Sequence, residues 1–319
     1  MKYLVTGAAG FIGFHVSKKL LEQGNEVVGL DNLNDFYDNG LKESRLNLLK
    51  QEINFVFYKV DVSDIAELEK IFEKEQFKKV CHLAAQAGVR HSIEDPFVYE
   101  KSNILGFLNI LEICKKYKVM DLVYASSSSV YGKNDSVPFL EEAKIDKPVS
   151  FYAATKASNE LFAHVYHDLY GMNVIGLRFF TVYGPWGRPD MAAFLFADAI
   201  VNKKPIKVFN FGKMKRDFTY IDDIVNGICS ALKKVGKIKY GIYNLGGSKP
   251  VELLDFIAIL EKEFNKKAKR ELLPLQPGDM VETSANISRA ERDLDYKVSV
   301  STEEGLAQFV KWYKSYYRV

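Results

Sequence analysis

Short β-branched apolar runs alternate along the first 180 residues with longer segments whose apolar residues recur every three or four positions. The short runs predict strands and the longer segments predict amphipathic helices. Strands that alternate with helices in this way predict an α/β fold with a doubly wound parallel sheet. The predicted strands are Lys2–Thr6, Glu26–Leu30, Asn54–Lys59, Lys79–Leu83, Asp121–Ala125 and Asn173–Arg178, and the predicted helices are Phe11–Gln23, Gly40–Lys50, Ile65–Lys74, Val98–Tyr117 and Tyr152–Tyr170.

The pattern loosens after Arg178, where the chain-breaking run GPWGRP at 184–189 precedes shorter, mixed elements. We therefore expect a first domain over residues 1–179 and a smaller C-terminal α/β lobe over residues 180–319. The helices predicted in this second part are Met191–Asn202, Asp223–Lys233, Leu253–Phe264 and Thr302–Tyr316.

Composition narrows the class of protein. With 47% hydrophobic and 27% charged residues, the 319-residue chain is ordinary globular protein rather than disordered chain. Its net charge of +3 argues against a nucleic-acid partner, and it lacks the run of ~20 apolar residues that a membrane span needs. Three widely spaced cysteines and the absence of a leader before the first strand predict a reduced, cytoplasmic location.

A glycine-rich segment, TGAAGFIG at 6–13, lies between the first predicted strand and the first predicted helix. Glycines at this junction allow a tight turn, close approach of the backbone to a pyrophosphate, and packing of the helix on the strand. The phosphates would lie at the helix N-terminus, where unpaired N–H groups favour an anion. The spacing GxxGxxG in this context predicts a Rossmann-type dinucleotide site.

The end of the second predicted strand indicates which dinucleotide binds. A carboxylate at Asp31 would accept hydrogen bonds from the adenosine ribose and repel a 2′-phosphate. No Arg or Lys lies between Asp31 and Gly40 to receive such a phosphate, which favours NAD over NADP. Asp61 and Val62, after the third strand, are placed to meet the adenine.

A candidate catalytic group lies on the helix that begins near Tyr152. Tyr152 and Lys156, four residues apart, share one helix face, and a nearby cation lowers the pKa of a phenol. We therefore expect Lys156 to make Tyr152 a base near neutral pH. The serine run 126–129 follows a parallel strand, at the sheet edge where ligands bind.

Motifs in this order resemble the extended short-chain dehydrogenases that modify nucleotide sugars, over essentially the whole chain. Within that group the chain is most similar to the UDP-glucuronate 4-epimerases, through DFYD at 35–38, AGVR at 87–90 and RPDM at 188–191. The other motifs that carry the resemblance are TGAAGFIG, HLAAQAGVR, SSSSVYG, YAATK, RFFTVYGPWGRPDMA, RDFTYIDD and PGD.

The resemblance implies a role for each matched residue. Tyr152 is the expected acid/base, Lys156 its activator and ribose ligand, and Ser127 the hydroxyl that binds the sugar O4. NAD is the expected cofactor, bound by Gly7, Gly10, Phe11, Ile12, Gly13, Asp31, Asn32, Asp61, Val62, Leu83, Ala84, Ala85, Asn103, Tyr152 and Lys156. The residues expected to bind a UDP-sugar are Arg90, Ser127, Ser128, Ser129, Thr181, Arg188, Arg216 and Asp279.

The resemblance further implies that the segment after about residue 216 returns to the first domain and that paired helices form a homodimer. The implied reaction is NAD-dependent inversion of C4 of UDP-glucuronate to give UDP-galacturonate through a 4-keto sugar. Two alternatives remain: a 4-epimerase of neutral UDP-hexoses, UDP-glucose or UDP-N-acetylglucosamine, and a non-catalytic NAD-sensing module on the same fold.

Two departures from the family pattern argue against dehydratase and decarboxylase activity. The dehydratases of the group carry Asp-Glu immediately before their VYG motif, and the decarboxylases carry a glutamate there, whereas this chain has Ser128 and Ser129. His164 and His167 have no carboxylate or cysteine at ligand spacing, so we expect no metal.

One further expectation concerns a side reaction. Oxidation of C4 in UDP-glucuronate creates a β-keto acid, which loses carbon dioxide readily. We expect Arg188, with Ser128 and Ser129, to hold the carboxylate in a non-productive rotation, and Arg90 is the alternative residue for this task.

Overall fold

The computed structural model describes residues 1–133, 136–275 and 280–319. The larger elements of the first part are β1 (Lys2–Thr6), α1 (Phe11–Glu22), β2 (Glu26–Asp31), α2 (Asn39–Leu49), β3 (Phe55–Lys59), α3 (Ile65–Glu75), β4 (Lys79–His82), α4 (His91–Glu94), α5 (Pro96–Tyr99), a π-helix (Glu100–Leu105), α6 (Gly106–Lys116), β5 (Asp121–Ser127), a 3₁₀ turn (Ser128–Tyr131), α7 (Phe151–Tyr170) and β6 (Asn173–Phe179).

Shorter strands are interspersed with helices in the second part. These elements are β7 (Thr181–Tyr183), α8 (Ala192–Val201), β8 (Pro205–Val208), a 3₁₀ turn (Phe209–Gly212), β9 (Lys215–Arg216), β10 (Phe218–Tyr220), α9 (Ile221–Lys234), β11 (Tyr240–Leu245), β12 (Val251–Glu252), α10 (Leu253–Phe264), β13 (Lys269–Leu272), α11 (Ser288–Leu294) and α12 (Thr302–Tyr317).

Seven of the described strands form one parallel sheet in the order β11-β6-β5-β4-β1-β2-β3. The predicted doubly wound α/β fold is therefore confirmed. Strand order reverses between β1 and β4, and the carboxyl ends of strands at such a reversal border the crevice where ligands bind in these sheets. The chain also returns to the sheet late, because β11 pairs with β6 and α9 packs against α1.

The helix α7 is bounded by two local signals. The Ser150 hydroxyl accepts a hydrogen bond from the Ala153 N–H at 3.1 Å and caps the N-terminus, and Gly171 at φ +67° ends the helix. Tyr152 therefore lies in the first turn, at the edge of the sheet where β5 ends. A serine cap and a C-terminal glycine thus fix the place of a chemically important side chain.

The buried apolar side chains of the second part are rich in aromatic rings and belong to the same core cluster as residues of β1 and α1. Phe218 stacks on Phe256 with ring centroids 3.9 Å apart, and Phe194 packs edge-on against Phe309. The helix α12 begins with a capping box, in which Ser301 and Glu304 satisfy each other's backbone N–H groups.

One predicted helix differs in the structure. The pattern over Val98–Tyr117 predicts a single helix, whereas the chain forms α5, the π-helix and α6 in succession. At the join, a Cβ on Gly106 would come within 2.6 Å of Val62 Cγ2, so this backbone packs closely against the loop after β3. Periodicity alone does not reveal a π-turn, because it keeps helical spacing on both sides.

Within the described residues, no helix combines the length and apolar character needed to cross a bilayer.

Candidate active site

The loop between β1 and α1 is shaped so that only glycine fits at two positions. Gly7 adopts φ +71°, and a Cβ there would lie 2.9 Å from the Ala84 backbone nitrogen. A Cβ on Gly13 would lie 2.0 Å from the Gly7 carbonyl oxygen. Gly10 is the N-cap of α1 and has no side chain to occupy the first-turn N–H groups. This cradle fits the pyrophosphate of a dinucleotide.

Asp31 ends β2 at the rim of the same cradle. Its carboxylate accepts hydrogen bonds from the backbone N–H groups of Leu33, at 2.9 Å, and Ala9, at 3.2 Å. Burial raises the pKa of Asp31, while those two N–H groups and the charge of Lys42 oppose the rise. A ribose hydroxyl would join backbone donors that already orient this carboxylate.

Lys42 was not predicted from the sequence as a site residue, because it lies beyond Gly40 on a helix whose burial the pattern does not reveal. It is almost fully buried on α2 and lines the cavity near Asp31. Its ammonium group donates to the backbone oxygen and side-chain oxygen of Asn34, at 2.5 and 2.7 Å. Because Asn34 takes these donors, the preference for NAD continues to rest on Asp31.

The carboxyl ends of β3 and β4 carry the next wall of the site. Asp61 accepts hydrogen bonds from Asn32 at 3.1 Å and from the Ser63 hydroxyl at 2.8 Å. Burial alone would raise the pKa of Asp61, but these donors and Lys101 lower it overall. The carboxylate is therefore held ionised beside the expected adenine position.

Asn103 takes a different place from the one expected of a cofactor ligand. It lies in the π-helix, buried behind the cavity wall. Its side chain accepts from the Gln86 N–H at 2.8 Å and donates to the Gln86 oxygen at 3.0 Å and to the Thr155 hydroxyl at 3.0 Å. Asn103 therefore fixes the backbone of Gln86, which does line the cavity.

Tyr152, Lys156 and Ser127 converge where β5 meets α7. The Lys156 ammonium donates to the Ala125 carbonyl oxygen at 2.9 Å, and the Ser127 hydroxyl accepts from the Ser129 N–H at 3.2 Å. The Ser127 hydroxyl also acts on the Tyr152 phenol, whose pKa it lowers. The structure thus brings together the three residues expected to carry catalysis.

The prediction that Lys156 lowers the pKa of Tyr152 is wrong for this structure. Burial raises the pKa of Tyr152, and the groups that oppose the rise are the Ser127 hydroxyl and the charge of Arg188. Burial also lowers the pKa of Lys156 to about 8, against the opposing charge of Glu160. Lys156 directs its ammonium at a carbonyl, so Ser127 and Arg188 are the groups that favour a phenolate.

A buried ion pair clamps α7 to the neighbouring strands. Glu160 forms two hydrogen bonds with Arg178 of β6, at 2.7 and 2.9 Å, and accepts a third from the Ser126 hydroxyl at 2.5 Å. Since Glu160 follows Lys156 by one helical turn, the pair fixes the register between Lys156 and the end of β5. Removing either charge would leave the other buried and unpaired.

Arg188 faces the cavity from the segment after β7. Its side chain is 19% exposed, and its Nε and Nη2 donate to the Asp190 carboxylate at 3.0 and 2.5 Å. Its guanidinium also lies 6.0 Å from the centre of the Phe36 ring. Asp190 thus orients a planar cation whose charge reaches Tyr152.

The other residues expected to bind the substrate come from both parts of the chain. Arg90 stacks on the Phe209 ring at 4.7 Å, and Arg216 donates to the Val281 carbonyl oxygen at 3.1 Å. Thr181 begins β7 and lines the same cavity. Asp279, also expected in this group, lies outside the described residues.

A single cavity of about 1370 Å³ collects nearly all of these residues. Every described residue expected to bind cofactor or substrate lines it, except Asn103. The lining residues from that set are Gly7, Gly10, Phe11, Ile12, Gly13, Asp31, Asn32, Asp61, Val62, Leu83, Ala84, Ala85, Arg90, Ser127, Ser128, Ser129, Tyr152, Lys156, Thr181, Arg188 and Arg216.

The histidines on α7 have an aromatic neighbour. The rings of His164 and His167 lie 5.3 and 5.2 Å from the Tyr240 ring. Among the described residues, no group of histidine, cysteine or carboxylate side chains is arranged to hold a metal ion.

The sequence and the structure are similar to those of known nucleotide-sugar epimerases. The chain is 50% identical to UDP-glucuronate 4-epimerase of Thermodesulfobacterium geofontis, covering 98% of this chain and 96% of that protein. Its structure superposes on UDP-glucuronic acid 4-epimerase from Bacillus cereus, a crystal structure with UDP-glucuronic acid and NAD, with a TM-score of 0.94 at 38% identity over 99% of this chain and 100% of that one.

A neutral-sugar enzyme is also similar. UDP-glucose 4-epimerase from Thermotoga maritima, crystallised with UDP-glucose, has a TM-score of 0.89 at 30% identity, covering 99% of this chain and 100% of that one. The model of one family matches residues 3–246, from β1 to just beyond the end of β11. This chain belongs to the NAD-dependent epimerase/dehydratase family.

Proposed function

We propose that this protein is an isomerase, a UDP-glucuronate 4-epimerase that uses NAD to interconvert UDP-glucuronate and UDP-galacturonate. The observation that carries the proposal is the position of Arg188, which brings a guanidinium into the same cavity as Tyr152, Lys156 and Ser127. The similarity to UDP-glucuronate 4-epimerases at about half of all positions supports it. A planar cation beside the reacting carbon suits a sugar with a carboxylate at C6.

The cavity residues divide the work of binding. We assign the dinucleotide to the cradle 7–13, to Asp31 with Asn32, to Asp61 with Val62, and to the wall 83–85. Asn103 acts indirectly in this assignment, because it holds Gln86. The uridine diphosphate is assigned to Thr181, Arg216 and Asp279 of the second part of the chain, and Arg90 of the first part stays the alternative residue for the sugar carboxylate.

The chemistry at C4 then follows from the groups at the end of β5. When bound, NAD accepts the C4 hydride and later returns it, so the reaction has no net redox change. Tyr152 takes the O4 proton and returns it after the keto sugar has rotated to present its other face. Ser127 orients O4, while the Ser127 hydroxyl and Arg188 stabilise the phenolate. Lys156 bridges α7 and the Ala125 carbonyl oxygen, beside the expected nicotinamide ribose.

Arg188 has a second task during the keto stage. The keto sugar is a β-keto acid, and decarboxylation requires the bond to the carboxylate to align with the ketone. Asp190 takes one N–H each from Nε and Nη2 of Arg188, and we assign the remaining N–H groups of the guanidinium to the substrate carboxylate. Ser128 and Ser129 are the proposed hydroxyl donors to the same carboxylate. No carboxylate stands at positions 128 and 129 to remove water or promote decarboxylation.

The fold divides into two lobes in this assignment. We propose that residues 1–179 form the NAD-binding Rossmann domain and that 180–319 bind the UDP-sugar, with α9 and β11 returning to the first domain. Exposed apolar side chains at 161, 165 and 169 form a stripe along α7, and Leu105 and Leu108 are exposed where the π-helix joins α6, which packs against α7. We propose that this face pairs with a second copy to form a homodimer in the cytoplasm.

The proposal is tested by measuring kcat/KM for a panel of UDP-sugars. We expect UDP-glucuronate to be preferred over UDP-glucose and UDP-N-acetylglucosamine. Preference for a neutral sugar would replace the assignment with a neutral-hexose epimerase, and NAD binding without turnover of any sugar would indicate a sensing module.

A further inference from the structure

Arg45, on α2, is fully buried and uses every N–H donor of its guanidinium. Nη1 donates to the Ala9 carbonyl oxygen at 3.0 Å and to the Tyr37 hydroxyl at 2.8 Å. Nε donates to the Trp186 carbonyl oxygen at 3.1 Å, and Nη2 donates to that oxygen at 2.6 Å and to the Gly187 oxygen at 3.0 Å. One side chain therefore joins three segments that are distant in sequence.

The first of these segments is the cofactor cradle. Ala9 lies between Gly7 and Gly10, its carbonyl faces Arg45, and its N–H donates to the Asp31 carboxylate. The peptide groups on either side of Ala9 therefore connect Arg45 to the carboxylate assigned to the adenosine ribose. A dinucleotide that orders this loop would also order the acceptor of one Arg45 hydrogen bond.

The second segment is the turn 184–187, which immediately precedes Arg188. Trp186 adopts φ +61°, a left-handed conformation that is strained for a side chain with a Cβ. Its carbonyl oxygen receives two donors from Arg45, and its ring packs against Phe14, Trp312 and Tyr316. Contacts from outside the turn thus hold a conformation that the turn would not keep alone.

The third segment covers the cavity near the expected carboxylate. Tyr37 lies in the DFYD segment 35–38, and its ring has the Lys42 ammonium 4.6 Å from its centre. Phe36, its neighbour, lies beneath the Arg188 guanidinium. Both sides of the position assigned to the carboxylate are therefore tied to Arg45.

We propose that Arg45 is a positioning residue, which links the cofactor cradle to the turn 184–187 and thereby sets the position of Arg188. The inference rests on the proposed function, since it assigns to Arg45 the placement of the carboxylate-binding cation. When the cradle is ordered, the Ala9 carbonyl holds the Arg45 guanidinium in place. Arg45 in turn holds the carbonyls of Trp186 and Gly187, which precede Arg188. Loss of the planar fork loosens the turn without removing any group that touches the substrate.

The test uses Arg45→Lys, which keeps the charge but cannot reproduce five donors in a plane. In protein loaded with NAD, amide deuterium exchange over residues 184–190 rises above that of the wild type. The KM for UDP-glucuronate rises about tenfold while that for UDP-glucose changes little. The fraction of decarboxylated product, UDP-4-keto-pentose, increases because Arg188 no longer fixes the carboxylate.

Arg178→Lys is the matched control, because it removes another buried fork whose partners are Glu160 and the Glu141 carbonyl. It lowers the melting temperature without raising exchange over 184–190. The wild type supplies a measurement that needs no variant: removal of NAD raises exchange over 184–190, and adding it back reverses the change.

Wild-type exchange over 184–190 that does not respond to NAD would overturn the inference, even if the lysine variant fails to fold. Unchanged exchange together with an unchanged ratio of the two KM values in a folded Arg45→Lys protein would also overturn it. A different result would show that the proposed function is wrong: neither the wild type nor Arg188→Ala would discriminate between UDP-glucuronate and UDP-glucose. In that case the exchange measurement still decides the role of Arg45.

Discussion

The phenol of Tyr152 lies where burial and two polar groups act on its pKa in opposite directions. Burial favours the neutral phenol, whereas the Ser127 hydroxyl and the Arg188 guanidinium favour the phenolate. A cation assigned to the substrate carboxylate therefore also affects the acid/base residue. Binding of a carboxylate to Arg188 would partly neutralise that charge, which couples substrate recognition to the readiness of Tyr152 to take a proton.

Replacing Tyr152 with Phe removes the proton acceptor and preserves the shape of the ring. We expect turnover of UDP-glucuronate to fall ~10²- to 10⁴-fold, the usual contribution of a positioned general base. We expect the fold and NAD content to stay unchanged, because phenylalanine keeps the ring and the cradle 7–13 and Asp31 are untouched. Steady-state rates, circular dichroism and the nucleotide released on denaturation check the three statements. Near-normal turnover in the variant would remove Tyr152 from the mechanism.

Residues with a motif were predictable from the sequence, and residues that act through geometry were not. Gly7, Asp31 and Tyr152 lie at fixed positions relative to strand ends, so the sequence alone predicts their roles. Arg45 and Lys42 stand three apart on α2 like any pair of surface cations, and only the fold reveals that both are buried. The pKa of Tyr152 was mispredicted because helical spacing places Lys156 on the same face without stating where its ammonium points.

At the level of elements, the sheet was predictable because each buried parallel strand is a short apolar run followed by a helix. The late return of β11 to the sheet was expected only through the resemblance, since no local pattern tells which sheet a strand will join. The π-helix was missed because its apolar spacing mimics an α-helix. In the structure it places Asn103 against the Gln86 backbone.

The short strands of the second part escaped prediction for a different reason. β9 and β12 are each two residues long and pair with each other, and β10 pairs with β7 over three residues. Runs this short carry no periodicity that distinguishes a strand from a loop. Tertiary contacts decide them, above all those of Asp217, which accepts hydrogen bonds from the Gly247, Ser248 and Ala285 N–H groups.

At the scale of the whole molecule, stability in acid depends on two histidines, the half-buried His15 and the buried His82. Burial lowers the pKa of His15 to about 4 and that of His82 to about 3. The unfolded chain binds these protons near pH 6.5, whereas the folded protein resists them, so the unfolded state gains protons first. Their contribution to stability is full above pH 6.5 and is lost as the pH falls towards the folded values.

We therefore expect His15→Gln to flatten the acid side of the stability profile. Glutamine does not titrate, yet its amide retains a donor for the Pro185 carbonyl, which His15 contacts at 2.9 Å. Between pH 6 and pH 4.5 the free energy of unfolding of the variant should fall less steeply, by up to ~1.4 kcal/mol per pH unit. Urea unfolding at several pH values measures this, with the exposed His164→Gln as the control. Identical slopes in the wild type and His15→Gln would contradict the assignment.

The measurement that tests the central claim most directly is product analysis by NMR, using UDP-glucuronate that carries deuterium at C4 in ordinary water. The account predicts UDP-galacturonate that retains the deuterium at C4, because the hydride removed from one face returns to the other within the same site. Loss of the label to solvent, UDP-4-keto-pentose as the main product, or no conversion of UDP-glucuronate by protein that epimerises UDP-glucose would contradict it.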